Sequence, residues 1–114
     1  MPHFILDCSE DILEIKDPKE IMENVFETAF STGLFERKNI KVRLNPYQFS
    51  LADGSDQDFI HVFANIMEGR TNQQKANLSK KIVSQLKHMF PRVELISINI
   101  RDFEKASYIN KMML

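Results

Sequence analysis

Three residues in this chain combine into chemistry that moves protons and holds anions: Pro2, Arg43 and Arg70. Pro2 stands directly behind Met1 and directly ahead of the strand-like run His3-Phe4-Ile5-Leu6. Removing Met1 leaves Pro2 with a free secondary amine, a stronger base and nucleophile than any peptide nitrogen. Ordinary α-amino groups titrate near pH ~8. In an apolar pocket beside fixed cations such an amine loses its proton more easily, because its charged form is desolvated and repelled. A base titrating near neutrality is what proton shuttling needs. Proline is common at position 2 without any role, so the dipeptide needs support from the rest of the chain.

Arg43 falls in the middle of an alternating run, where a charge is expensive to bury unless paired. Arg70 follows Gly69 at the turn from a strand into a helix, a place where ligands often meet α/β sheets. Taken singly, Arg43 reads as an exposed strand face or an inter-subunit salt bridge, and Arg70 as a solvated helix cap. Beside an unmasked amine the two form a set: one base, and two planar donors that grip carboxylates bidentately.

Other chemistries find less support. His3, His61 and His88 are scattered without the i, i+4 spacing of a helical zinc motif, so no metal site is expected, although His3 and His61 could meet across adjacent strands. Cys8 shares the strand parity of Phe4 and Leu6 and reads as a small packed side chain. The three glycines, Gly33, Gly54 and Gly69, all fall at turns and build no phosphate loop. Lys80, Lys81 and Lys87 read as a solvated helix face without the aromatic interleaving that suits single-stranded nucleic acid.

The elements that must position these residues are readable. A first strand is expected over Pro2–Cys8, apolar on both faces and so covered on both. A helix begins at Asp17-Pro18-Lys19-Glu20, with Asp17 as cap, Pro18 in the first turn and Glu20 completing a capping-box-like pair. Ile21, Met22, Val25, Phe26, Ala29 and Phe30 form its apolar stripe, and Gly33 stops it. Ile40–Leu44 alternates as a second strand with Lys41 and Arg43 on one face. Asn45-Pro46 interrupts it, and Tyr47–Leu51 reads as a short extended continuation or hairpin arm. A polar turn spans Ala52–Asp56. The strongest strand is 59–67. Thr71 and Gln74 have capping-box spacing for a second long helix, whose stripe is Leu78, Ile82, Leu86 and Phe90, and Pro91 ends it. Val93–Ile100 is the last strand, followed by a mixed tail.

The order strand-helix-strand, twice over, predicts an α+β two-layer fold of two right-handed βαβ units forming one domain over residues 1–114. Four strands with two helices on one face leave the other face bare. Phe59, Phe63 and Met67 should point there if Ile60, Val62 and Ile66 meet the helices, or the reverse. A bare face with large apolar side chains predicts an oligomer. Fifteen Lys+Arg against 16 Asp+Glu give a net charge of -1, so no global field draws nucleic acid or an anionic membrane. No apolar run is long enough to span a bilayer. A single cysteine and an N-terminus without signal-peptide character fit a reducing cytoplasm.

Met1-Pro2-His3-Phe4 followed by Cys8-Ser9, then Ala52-Asp53-Gly54, Phe59-Ile60-His61-Val62 and Gly69-Arg70, resembles the 5-carboxymethyl-2-hydroxymuconate delta-isomerase family. That family lies in the tautomerase superfamily, with 4-oxalocrotonate tautomerase and macrophage migration inhibitory factor. The similarity runs in order from Met1 to about Arg101, and the tail after Ile100 departs from the longer members. The resemblance implies a homotrimer whose sheets wrap a central barrel with helices outside. It implies Pro2 as catalytic base, Arg43 and Arg70 as substrate-binding and polarising residues, and a weaker carry-over to Asn99. The implied reaction takes a carboxylated dienol to its conjugated 2-oxo isomer in homoprotocatechuate breakdown, without metal or organic cofactor. Phenylpyruvate or oxalocrotonate tautomerisation, or a non-catalytic binding role, stand as alternatives on the same scaffold.

Overall fold

A computed structural model of the protein describes residues 1–52, 54 and 57–114. It contains β1 (His3–Ser9), α1 (Ile12–Ile15), α2 (Pro18–Ser31), β2 (Lys41–Tyr47), β3 (Phe59–Met67), α3 (Asn72–Met89) and β4 (Leu95–Phe103), with single 3₁₀ turns at Arg37–Asn39 and Lys111–Met113. The sheet order is β2-β1-β3-β4. β1 and β2 are parallel, β3 and β4 are parallel, and β1 runs antiparallel to β3 at the centre. This is the expected pair of βαβ units, joined through their first strands.

Local chemistry explains the helix ends. The Asp17 carboxylate accepts from Lys19 N at 2.9 Å, and Pro18 occupies the first turn, where its missing N–H costs nothing. Glu20 does not close a capping box; its carboxylate sits 3.6 Å from Lys16 Nζ instead. Gly33 takes φ +76° just past the helix, the left-handed step that turns the chain back. Thr71 and Gln74 form the predicted reciprocal box, Gln74 N to Thr71 Oγ1 at 3.1 Å and Thr71 N to Gln74 Oε1 at 2.9 Å.

Strand alternation sorts the side chains. Phe4, Leu6, Cys8, Ile60, Val62, Ala64 and Ile66 are buried under the helices, where they meet Ile21, Val25, Ala29, Leu78, Ile82, Leu86 and Phe90. The alternate positions, including Ile5, Phe59, Phe63 and Met67, are left part-exposed on the second face, the first of the two arrangements the alternation allowed. That face is more polar than expected, because His3, Asp7, His61 and Asn99 share it with the apolar groups.

Several boundaries differ from expectation. β1 is shifted by one residue, and α1 is an additional short turn. β2 runs straight through Asn45-Pro46, with Cys8 opposite Pro46 and Ser9 opposite Tyr47. Proline is tolerated there because β2 is an edge strand. Among the described residues no hairpin arm follows; Ala52 forms an isolated bridge. β4 extends to Phe103, because β3 reaches Met67 and offers a partner. Phe30 leaves the core stripe and is 40% exposed, with the Arg37 guanidinium 5.2 Å above its ring. Of the expected polar turn, Asp53, Ser55 and Asp56 lie outside the described residues.

Ile82 is fully buried at the centre of the α3 stripe. Ile82→Ala is expected to cost about 2–5 kcal/mol in urea unfolding, through lost transfer energy and a residual cavity. Lys81→Ala, on the exposed side of the same helix, is expected to cost less than about 0.5 kcal/mol. Equal losses at both positions would contradict the assigned faces.

Candidate active site

The start of β1 is held between two neighbours. The antiparallel register sets His3 opposite Asn65 of β3, and the parallel register sets His3 beside Lys41 and Ile5 beside Arg43 of β2. Pro2 is buried, and its carbonyl accepts from Lys41 N at 3.0 Å. The Met1 ammonium donates to Asn39 O at 2.7 Å, and Lys41 Nζ donates to the same oxygen at 3.0 Å. Two cations on one carbonyl repel each other. Burial first, then the Lys41 contact and its charge, lower the Met1 amine from 8.0 to about 5.

Met1 lies on the wall of an open cleft of about 820 Å³. Lys41, Met67, Arg70 and the tail residues Lys105 and Tyr108 line it too. The N-terminus and Arg70 therefore share one cleft. Pro2 N is bonded to the Met1 carbonyl carbon, so removal of Met1 bares the proline amine at this wall.

Arg70 is not a solvated cap. Its Nη1 donates to Met67 O at 3.2 Å and its Nη2 to Leu34 O at 2.7 Å. The guanidinium carbon lies 5.0 Å over the Phe35 ring. These contacts clamp the β3–α3 turn to the segment after α2. Two of the five guanidinium N–H groups are spent, and three remain to donate.

Arg43 lies on the open sheet face beside the start of β1. Its Nη1 is 3.0 Å from His3 Nδ1. Arginine has no acceptor, so Nδ1 accepts and the His3 ring carries its proton on Nε2. Burial first, then Arg43, the N-terminal ammonium and Lys41, hold His3 below its usual pKa and so favour this neutral form.

Asn99 does not join them within one chain. It shares a rung of the sheet with Arg43, but Ile5 and Phe63 stand between, placing it three strand spacings, roughly 14 Å, away. Its Oδ1 is 2.7 Å from His61 Nε2, while His61 Nδ1 is 2.6 Å from Ser97 Oγ. His3 and His61 are not neighbours either, since His61 pairs with Asp7. Among the described residues no group of three His, Cys, Asp or Glu side chains is gathered. Cys8 is fully buried, and burial, with Asp7 and Asp58 nearby, pushes its thiol up to about 11, which suits packing rather than nucleophilic attack.

Lys41 and the tail were missed in the sequence. Lys41 has the parity of Arg43, a usable signal, but its place beside the N-terminus depends on the β1–β2 register. Among the described residues no helix is long and apolar enough to cross a membrane.

Comparison with known proteins agrees with this architecture. A family model for 5-carboxymethyl-2-hydroxymuconate isomerase matches residues 2–111. The 5-carboxymethyl-2-hydroxymuconate Delta-isomerase of Escherichia coli is 29% identical over 92 residues, which span 79% of this chain and 73% of that protein. A crystal structure of a 5-carboxymethyl-2-hydroxymuconate isomerase from Deinococcus radiodurans R1 superposes with a TM-score of 0.82 at 23% identity, covering 96% of this chain and 88% of that one. A fused 4-OT wild-type symmetric trimer superposes with a TM-score of 0.79 at 11% identity, covering 96% and 91%. The two structural likenesses carry the fold, and the family match, over nearly the whole chain, carries the class. The chain belongs to the 5-carboxymethyl-2-hydroxymuconate isomerase family and is an enzyme of the tautomerase type.

Proposed function

We propose that the chain, once Met1 is removed, isomerises 5-carboxymethyl-2-hydroxymuconate to its conjugated 2-oxo form, with Pro2 as the base, in homoprotocatechuate catabolism. The observation that carries this reading is the setting of the chain's start: Pro2 is buried against Lys41, and the Met1 amine that precedes it is lowered by the same surroundings. Pro2 sits one residue deeper in the same surroundings, so desolvation and Lys41 also favour its neutral form. The family match beginning at Pro2 is consistent with this. The Pro2 nitrogen takes the proton from the 2-hydroxyl, and the electrons shift through the dienol. The same nitrogen then delivers a proton to carbon 5, leaving the 2-oxo product and a regenerated base. Arg70, with three free N–H groups, and Arg43 hold carboxylates and stabilise the charge that grows on the 2-oxygen.

The assembly proposed is a homotrimer of βαβ-repeat subunits. Its support is the part-exposed second sheet face and the fold shared with a fused symmetric trimer. Asn99, three strands away from Arg43 in its own chain, would then reach a pocket only in a neighbouring copy.

Enol turnover on material of known N-terminal mass tests the base. The processed protein is expected to exceed a Met1-retaining or N-acetylated form by at least about 100-fold. Pro2→Ala, processed to a primary amine, is expected to keep a small residue of activity. Equal turnover by the blocked form would end the proposal. Comparing the triacid with oxalocrotonate-type and phenylpyruvate enols ranks the substrates.

The pH profile tests the environment of the amine. Turnover requires the unprotonated amine, so kcat/KM falls as pH drops through its lowered pKa. Lys41→Gln removes a neighbouring cation and is expected to move that acid limb to higher pH. An unmoved limb would remove Lys41 from the account. Arg43→Ala is expected to raise KM for multiply charged enols far more than for a neutral enol.

A further inference from the structure

The cleft beside the N-terminus has cationic walls that the two arginines do not account for. Lys41, Arg70, Lys105 and Lys111 line it, and no acidic side chain does among the described residues. Two of these four, Lys105 and Lys111, come from the tail that follows β4. Methionines complete the lining: Met67, Met112 and Met113 add apolar, adaptable surface, and Met1 occupies the stretch of wall that its removal would open.

The tail is fastened over this place by its own contacts. Lys75 Nζ is 3.1 Å from Asp102 Oδ2, and the Phe103 and Tyr108 rings pack at 5.8 Å. Glu68 Oε2 accepts from Lys105 N at 2.5 Å, which pins the backbone at the point where the lysine leaves it. The Lys105 ammonium lies across the β3–α3 turn, where a Cβ on Gly69 would be 3.7 Å away. Lys105 and Arg70 line two adjoining depressions together, the cleft and the groove along Gly69 and Gln74. Among the described residues no carboxylate lies within ion-pair distance of Lys105 or Arg70. Glu68, the acid that touches this segment, engages the backbone N–H rather than the ammonium.

We infer that Lys105 is the tail's specificity determinant, the cation that holds the third carboxylate of a tricarboxylate substrate in the cleft shared with Arg70. The inference rests on reading this cleft as the substrate site. Arg70 is the arginine that lines the cleft, and Arg43 lies outside its lining, so a third carboxylate there needs a further donor beside Arg70. An unpaired ammonium pinned at its own backbone supplies that donor with little loss of conformational freedom beyond its side chain.

Calorimetric binding of two unreactive polyanions, propane-1,2,3-tricarboxylate and glutarate, tests this without any turnover. The wild-type protein is expected to bind the tricarboxylate about tenfold more tightly than glutarate. Lys105→Gln is expected to weaken the tricarboxylate by about tenfold and to leave glutarate within about twofold. Lys87→Gln removes the same charge from the far end of α3 and is expected to change neither. Absence of preference in the wild type, equal loss for both ligands in Lys105→Gln, or the same loss in Lys87→Gln would each overturn the inference. Retained discrimination in a protein that turns over no enol would sink the Pro2 base alone.

Discussion

The antiparallel pairing of β1 with β3 is the constraint on which the rest of the structure depends. With His3 opposite Asn65, the first residues of the chain are delivered to the end of β3, next to the turn that carries Arg70. The parallel pairing of β2 then places Lys41 and Arg43 on the other flank. The parallel pairing of β4 carries the chain past Met67 and returns the tail to the same end of the sheet. An N-terminus, a β3–α3 turn and a C-terminal tail thus converge although they are far apart in sequence. A register slip of one residue in β1 would turn Phe4 and Leu6 out of the core and lift the N-terminus off this site. The hydrophobic pattern that stabilises the fold is therefore the same pattern that positions the amine.

The parts visible in sequence were those decided by local chemistry. The Asp17 cap, the Thr71–Gln74 box, the left-handed Gly33 and the alternation of 59–67 all concern groups within a few residues of one another. What escaped were contacts decided by register. Arg70 donates to Leu34 O, a bond across 36 residues, so nothing near Gly69 announces that the arginine is a clamp. Lys41 looks like any polar position of an edge strand until β1 is laid beside it. Pro46 misled for a related reason, since proline is incompatible with a central strand but not with an edge. The sites proposed at Pro2, Arg43 and Arg70 came from residue type, and their neighbourhood came from topology.

Net charge is a poor guide to this cleft. The chain as a whole carries -1, yet Lys41, Arg70, Lys105 and Lys111 gather at one end of the sheet. The screening length at physiological salt is about 8 Å, so an anion in the cleft senses these cations and little of the acidic helix surface. Some of the acids are paired locally: Glu27 with Arg37, Glu20 with Lys16, Asp102 with Lys75. The same local excess of positive charge helps burial to drive a proton off the N-terminal amine.

The two arginines are held in different ways, and the difference bears on what each can do. Arg70 is fixed by two backbone carbonyls and a ring, partners that no pH change alters, so its remaining donors keep one orientation. Arg43 leans on His3 Nδ1, an acceptor only while the imidazole is neutral. Protonating His3 would replace that hydrogen bond with a repulsion between two cations, and the guanidinium would have to swing away. Lys41, Arg43 and the N-terminal ammonium all oppose that protonation. Burial and Lys41 thus favour the neutral form of both the N-terminal amine and His3, and Arg43 adds to this at His3. Binding an anion would relieve the mutual repulsion that the fold builds in.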